Sequence, residues 1–326
     1  LEEICCDCPT LAGRLVIDAH LPGWVSYIEE TTYPAPVSRS LVKVAGMEKT
    51  KSTDPMVIYF TSGTTGEPKM VLHNHALPLG HVTTGAFWLD LRENDLHFTL
   101  ADTGWAKSSW GKFFGPWLCG ACMLVYDIRG RFKPTELLPV LEHYEVTVFC
   151  APPTVYRMLI LADLEKFDLK ELRHCVSAGE PLNPEVIRVW KEGTGLTIYE
   201  GYGQTEAVLV IGTFPCIEPR AGSMGKPSPG WQIELQDEDG KPVPQGEVGR
   251  IAIRVKPDRP VGLFDGYLHD REANEEVFIG DYYYTGDKAS MDKDGYYWFV
   301  GRDDDVIKSS GYRIGPFEVE SALVEH

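Results

Sequence analysis

The sequence predicts an α/β fold, a parallel sheet with helices on both faces followed by a small antiparallel β subdomain. Three observations carry that prediction. Between residues 56 and 204, short β-branched or apolar runs alternate with longer amphipathic segments, the pattern of strand–helix–strand units. From about residue 222, Gly and Pro become frequent, helical periodicity stops and short alternating runs appear. The length of 326 residues is about two domains at roughly 150 residues each, and 43% hydrophobic residues suffice for a large core.

Taken in order, the strands are MVIYF (56–60), LHFTLA (96–101), CMLVYD (122–127), VTVFCA (146–151), HCVSAG (174–179) and TIYEGY (197–202). Three helices lie between them. PTELLPVLEHY (134–144) and PTVYRMLILADL (153–164) begin with Pro, which suits a first helical turn. NPEVIRVWKEGTG (183–195) has an Asn cap and a Gly-rich stop. In the second part, QIELQ (232–236), GRIAIRV (249–255) and YYWFVG (296–301) alternate, with turns at Asp239-Gly240 and Asp294-Gly295. FEVESALVEH (317–326) reads as the start of an amphipathic element without a stop signal. The implied boundaries are 1–221 for the α/β part, 222–303 for the β subdomain and 304–326 for a trailing segment.

Composition excludes several function classes. With 31 basic against 48 acidic side chains the net charge is −17, which opposes a nucleic-acid or membrane-surface partner. No apolar run approaches the roughly 18 residues of a membrane-spanning helix. The start, LEEICCDCPT, has neither an initiator Met nor the regions of a signal peptide, so the chain reads as a piece of something longer. Eight cysteines without a regular framework fit a reduced, cytoplasmic or organellar-matrix compartment. Cys119-Gly-Ala-Cys122 opens an apolar run and reads as buried structural thiols, and Cys5, Cys6 and Cys8 stand too close together to chelate a metal without a fourth ligand.

Four segments could carry chemistry. Thr61-Ser62-Gly63-Thr64-Thr65-Gly66-Glu67-Pro68-Lys69 comes directly after a strand and offers backbone N–H groups, hydroxyls and one cation to a polyphosphate. Its spacing is not that of a Walker A loop, and the bland alternative is a flexible Gly/Thr loop. Tyr199-Glu200-Gly201-Tyr202-Gly203-Gln204-Thr205-Glu206 supplies a flat face at Tyr202, close backbone approach at the glycines and an oxygen ligand suited to Mg²⁺ at Glu206. Alone it could equally be a turn with a solvated carboxylate. In Tyr284-Thr285-Gly286-Asp287 the carboxylate suits a ribose diol, and Arg302, opening GRDDDVIKSSGYRIGP, suits a ribose or phosphate oxygen. Ordinary turn chemistry is their alternative reading. His73, His75 and His81, read as lying on a helix, receive no metal role, since solvated or capping histidines are commoner.

In this order, with ADTGW (101–105) and APPTVYRML (151–159) between them, the four segments resemble the adenylate-forming (AMP-binding) superfamily, and within it the medium-chain acyl-CoA synthetases. The resemblance implies a fragment of that family's large domain. It further implies an acid–thiol ligase that joins a medium-chain, branched or aromatic carboxylic acid to CoA through an acyl adenylate made from ATP. Residues 61–69 would hold the β- and γ-phosphates, with Lys69 as the cation. Ala178, Gly179, Glu180 and Glu200 to Gln204 would line the nucleotide site, Thr205 would stand beside the α-phosphate and the reacting carboxylate, and Glu206 would hold Mg²⁺. Asp287 would take the ribose hydroxyls and Arg302 add a cation. Trp105, with Thr205, would line the acyl pocket, Asp304 would be the hinge, and Ser310, Gly311 and Tyr312 would face CoA.

The physics agrees with those roles: two anions must be brought together, so local charge neutralisation and positioning dominate. The resemblance also implies that residues 304–326 are the hinge and the start of a further domain, so that the sequence stops short of the family's C-terminal Lys. The fragment is therefore expected to bind nucleotide but to be poorly active alone. Trp110, Phe113 and Ala207-Val208-Leu209 could add apolar wall, although such residues are more often plain core. SSWGKFF (108–114) lacks an acidic residue for a substrate ammonium, which argues for an uncharged tail. The alternatives are another adenylate-forming enzyme, aryl-adenylating or luciferase-like, and a non-catalytic nucleotide-binding module.

Overall fold

A computed structural model of the chain describes residues 15–16, 21–22, 24–26, 49–61, 68–128, 133–303, 307–309, 312–314 and 319. The chain divides into residues 1–50 and 51–326. In the first unit Leu15–Val16 pairs in parallel with Val25–Ser26. The second unit holds the sheets and helices that position the site.

It opens with strands β1 (Pro55–Thr61) and β2 (Lys69–Asn74). Helix α1 (Leu77–Val82) runs on as a π-type winding to Trp88, and β3 (Leu96–Thr99) comes next. Helix α2 starts at Ala106–Ser109 and winds on through Trp110–Phe114 to Leu118, leading to β4 (Cys122–Met123). Then come α3 (Leu137–His143), β5 (Val148–Cys150), α4 (Pro153–Leu159), β6 (His174–Ala178) and α5 (Pro184–Thr194). Helix α5 is bounded as the sequence predicts: Asn183 accepts the Glu185 N–H at 2.8 Å, and Gly195 closes the helix at φ 75°. Strands β7 (Ile198–Gln204), β8 (Ala207–Gly212), β9 (Lys226–Pro227), β10 (Ile233–Gln236), β11 (Val248–Arg254) and β12 (Gly266–Tyr267) precede α6 (Arg271–Val277). The chain continues through β13 (Phe278–Ile279), β14 (Tyr282–Met291), β15 (Tyr297–Arg302) and the small hairpin β16 (Ile307–Ser309) and β17 (Tyr312–Ile314).

The main sheet has the order β9-β8-β7-β6-β5-β3-β4, with β7 to β4 parallel and β8 and β9 antiparallel at one edge. Helices cover both faces. On one, Leu137, Tyr156 and Trp190 from α3, α4 and α5 pack on Phe149 and Cys175. On the other, Trp88 and Leu89 pack on Val148, Cys150 and Val176. Successive residues of β5 therefore serve opposite faces, as the pleat requires.

The structure corrects several expectations. MVIYF does not join the parallel sheet: β1 pairs antiparallel with β2, and β12 adds to the other edge of β2. The loop 62–68 is far shorter than the crossover of about a dozen residues that a parallel neighbour needs. CMLVYD contributes only Cys122–Met123 to the sheet; Val125 and Tyr126 are exposed, and Cys122 is exposed rather than buried. The helix expected over 153–164 stops at Leu159. Ala207-Val208-Leu209 lies on β8, a strand the sequence did not suggest, and is buried core. His73 is on a strand rather than a helix, and His73 and His81 are both buried.

The second sheet is antiparallel, β10-β11-β14, with β13 and β15 sharing the far edge of β14. Gly240 and Gly295 stand at positive φ in the two turns expected of them. Tyr284-Thr285-Gly286-Asp287 is not a turn but the middle of the long strand β14, where Asp287 pairs in register with Arg302.

Candidate functional site

Strands β7 and β8 are joined by a two-residue turn, Thr205-Glu206, since Gln204 and Ala207 are register partners. That turn is held from outside. The His73 ring bonds the Thr205 carbonyl through Nε2 at 2.7 Å, and the Phe264 N–H donates to the Glu206 carbonyl at 2.8 Å. The segment 264–268 also bonds β2, through the Asp265 N–H to Leu72 and the Leu268 N–H to Met70, both 2.8 Å. One strut therefore fixes the hairpin carrying Lys69 against the hairpin carrying Thr205 and Glu206.

Tyr267 on β12 connects the two charged groups directly. Its hydroxyl donates to Glu206 Oε1 at 2.9 Å, and the Lys69 ammonium lies 4.9 Å from its ring centroid. Burial raises the pKa of Glu206, against the Tyr267 hydrogen bond and the nearby charges of Lys69 and Arg302. Among the described residues no group of three His, Cys, Asp or Glu side chains could hold a metal. A single half-buried carboxylate is still a suitable Mg²⁺ ligand when phosphates and water complete the shell, the usual manner of Mg²⁺ in nucleotide sites. Glu206 fits that role, and sequence reasoning had no signal for its partner Tyr267, which lies 61 residues away.

Beside the turn, a cleft of about 280 Å³ lies at the carboxyl ends of β6 and β7, the position at which open α/β sheets bind ligands. Gly179 and Glu180, the run from Glu200 to Gln204, Asp287 and Arg302 line it, so residues from three predicted segments meet there. Asp287 is its organised centre. Oδ2 accepts from the Tyr202 hydroxyl at 2.6 Å and from Gln204 Nε2 at 2.7 Å, while Arg302 Nη1 stands 3.8 Å from Oδ1. Burial raises the Asp287 pKa, and the Tyr202 bond and Arg302 oppose it. Gln204 also donates to the Thr285 carbonyl and accepts from Tyr283, so it orients Asp287.

Glu200 is a largely buried part of the cleft wall. Its carboxylate accepts the N–H groups of Leu182 at 3.3 Å and Gly222 at 3.0 Å, yet burial outweighs them and pushes its pKa up to about 8. Glu180 is held by the Thr154 N–H and by Arg157, both at 3.2 Å, and Ala178 ends β6 against the cleft wall. Thr61 and Lys69 are the register pair at the mouth of the β1–β2 loop, and Pro68 precedes Lys69. Ser62, Gly63, Thr64, Thr65, Gly66 and Glu67 lie outside the described residues, as do Asp304, Ser310 and Gly311. Tyr312 is described only as the first residue of β17. Trp105, at the N-cap of α2, is 68% exposed and is not among the residues lining the cleft.

Residues 7–268 match the model of the family described as AMP-binding enzyme. The chain is 49% identical over 328 residues to acyl-coenzyme A synthetase ACSM3, mitochondrial, of Rattus norvegicus, covering 100% of this chain and 55% of that protein. It is 46% identical to human acyl-coenzyme A synthetase ACSM4, mitochondrial, with the same coverage. The chain thus spans about half the length of the curated relatives it matches. Among solved structures, the anthranilate CoA ligase AuaEII in complex with anthranoyl-AMP superposes with a TM-score of 0.86 at 34% identity, over all of this chain and 61% of that one. A benzoate CoA ligase from Burkholderia xenovorans LB400 gives 0.72 at 29% identity, over 85% of this chain and 54% of that one.

Proposed function

The chain belongs to the AMP-binding enzyme family, and from that premise we propose that it is the nucleotide-binding part of an ATP-dependent, AMP-forming acid–thiol ligase. The acid is a medium-chain, branched or aromatic carboxylic acid and the thiol is CoA. The observation that carries the reading is the meeting of the Lys69 hairpin, the Thr205-Glu206 turn and the Asp287 cleft. A cation and a metal-type carboxylate meet on Tyr267, next along the chain from a cleft that holds a diol acceptor, and these are the kinds of group an adenylating site needs.

On this reading, Lys69 and the 61–69 loop receive the β- and γ-phosphates, and Asp287, held by Tyr202 and Gln204, takes the ribose hydroxyls with Arg302 beside it. Ala178, Gly179 and Glu180 border the adenine with the face of Tyr202, and Thr205 stands at the α-phosphate. Mg²⁺, held by Glu206, supplies charge neutralisation to the polyphosphate when bound. The protein's own contribution is alignment: the rigid turn holds Thr205 so that the acid's carboxylate meets the α-phosphate in line, with pyrophosphate leaving. CoA then attacks the acyl adenylate and AMP departs. Residues 1–221 form the AMP-binding subdomain, 222–303 the β subdomain and 304–326 the hinge region, with Asp304 as hinge, Ser310, Gly311 and Tyr312 toward CoA and Trp105 in the acyl wall. The mitochondrial names of the relatives favour an organellar matrix.

ATP–pyrophosphate exchange by the full-length protein, with a panel of aliphatic and benzoic acids, tests this. Exchange dependent on the acid is expected. Binding of ATP and AMP by calorimetry without exchange for any acid would instead favour a non-catalytic nucleotide-binding module.

A further inference from the structure

Strand β14 places a buried hydroxyl between the two ends of the nucleotide site. Tyr283 is 1% exposed and packs among Tyr267, Phe264 and Phe278, its ring centroid 5.3 Å from that of each phenylalanine. Its hydroxyl donates to Gln204 Oε1 at 3.1 Å. A phenol in such a core needs a partner for its polar end, and Gln204 supplies one.

Gln204 passes the contact on. Its Nε2 donates to Asp287 Oδ2 at 2.7 Å and to the Thr285 carbonyl at 2.9 Å, so both ends of the amide are engaged and its orientation is fixed. Without the Tyr283 hydroxyl, Oε1 loses its donor and the amide is free to turn over, which sets an oxygen against the Asp287 carboxylate. On its other side Tyr283 meets Tyr267. Burial raises the Tyr267 pKa, Glu206 adds to the rise, and the Tyr283 hydroxyl opposes it through a hydrogen bond. Both tyrosine rings pack on Phe264, with centroids 5.0 and 5.3 Å away, and the Tyr267 hydroxyl donates to Glu206 Oε1 at 2.9 Å. A row of polar groups thus runs from Asp287 through Gln204, Tyr283 and Tyr267 to Glu206. Such networks act on their members jointly.

We propose that Tyr283 is a positioning residue that couples the ribose acceptor Asp287 to the metal-type carboxylate Glu206, acting through Gln204 on the first and through Tyr267 on the second. The inference rests on the nucleotide-site reading and adds to it a joint between the sugar end and the polyphosphate end.

Titration calorimetry of the full-length protein with AMP, 2′,3′-dideoxy-AMP and Mg·ATP tests this. In the wild type, loss of the ribose hydroxyls should weaken AMP by about tenfold, the worth of a hydrogen bond to a charged group. Tyr283→Phe keeps the ring in the core. It should shrink that penalty to about threefold by weakening AMP alone of the pair, and should weaken Mg·ATP by about tenfold because the Tyr267 end is loosened as well. Tyr267→Phe leaves the Tyr283 proton to Gln204, so the dideoxy penalty should stay as in the wild type. Equal weakening of AMP and its dideoxy analogue in Tyr283→Phe is what a merely structural tyrosine gives, and it overturns the inference; so does an effect confined to Mg·ATP. Should Tyr283→Phe not fold, Gln204→Met decides: it should shrink the penalty and weaken Mg·ATP more than AMP, and an unchanged penalty or equal losses overturn the inference. No dideoxy penalty in the wild type removes the ribose role of Asp287 and this inference with it, and no binding of AMP or Mg·ATP removes the nucleotide-site reading itself.

Discussion

Glu206 and Lys69 do not meet each other directly; each meets Tyr267, one through a 2.9 Å hydrogen bond and one across the ring. Removing the hydroxyl in Tyr267→Phe frees the carboxylate to turn, at about 1–2 kcal/mol. Mg·ATP binding is therefore expected to weaken by about tenfold with AMP affinity retained, and Glu206→Gln should show the same asymmetry more strongly. Titration calorimetry with both nucleotides checks this, and equal losses for ATP and AMP would count against it. Glu200 gives a different kind of prediction. Its folded pKa near 8 against an ordinary 4.5 means that the native protein keeps a proton which the unfolded chain releases. Stability from this residue is complete at low pH and falls as pH rises from about 4.5 toward 8. Glu200→Gln cannot ionise, so its Tm relative to wild type should climb by at least about 2 °C between pH 5 and pH 8. A difference that stays flat across that range would show that Glu200 is ionised throughout.

At the scale of elements, the site depends on loops tied to the sheet by charge. Arg173, just before β6, bonds Asp95 through Nε at 2.9 Å and also through Nη2, and Asp90 through Nη1 at 2.6 Å. Asp95 is buried, which by itself raises its pKa, but Arg173, the Thr147 hydroxyl and the Arg92 N–H outweigh burial and hold it below the usual value. Arg173→Met strands that carboxylate and should cost about 3 kcal/mol in urea unfolding. Adding Asp95→Asn should recover part of the loss; strictly additive losses would mean that the pair is not coupled. Several elements were legible because their signals are local: the Asn183 cap, the αL Gly195 and the Gly240 and Gly295 turns depend on one or two residues each. Partnership was less legible. Whether β1 pairs with β2 or joins the parallel sheet depends on a loop length, and Ala207-Val208-Leu209 looked like pocket wall because a strand buried on both faces lacks alternation.

Across the whole molecule, the net charge of −17 opposes the approach of a polyanion such as ATP, even though the site collects Lys69 and Arg302. Salt screens that repulsion, so the ATP association rate should rise severalfold between low and physiological ionic strength, the reverse of a nucleic-acid binder. Stopped-flow fluorescence measures it, and a rate that falls with salt would mean that the local cations govern the encounter. The sequence by itself determined the α/β class and the trailing antiparallel sheet, because strand periodicity and turn glycines are properties of neighbouring residues. Only the tertiary structure decided that Tyr267 bridges Glu206 and Lys69 and that His73 holds the Thr205 carbonyl. Those facts join residues far apart in the chain, and burial, which sets both their charge and their partners, exists only once the sheet and helices have packed.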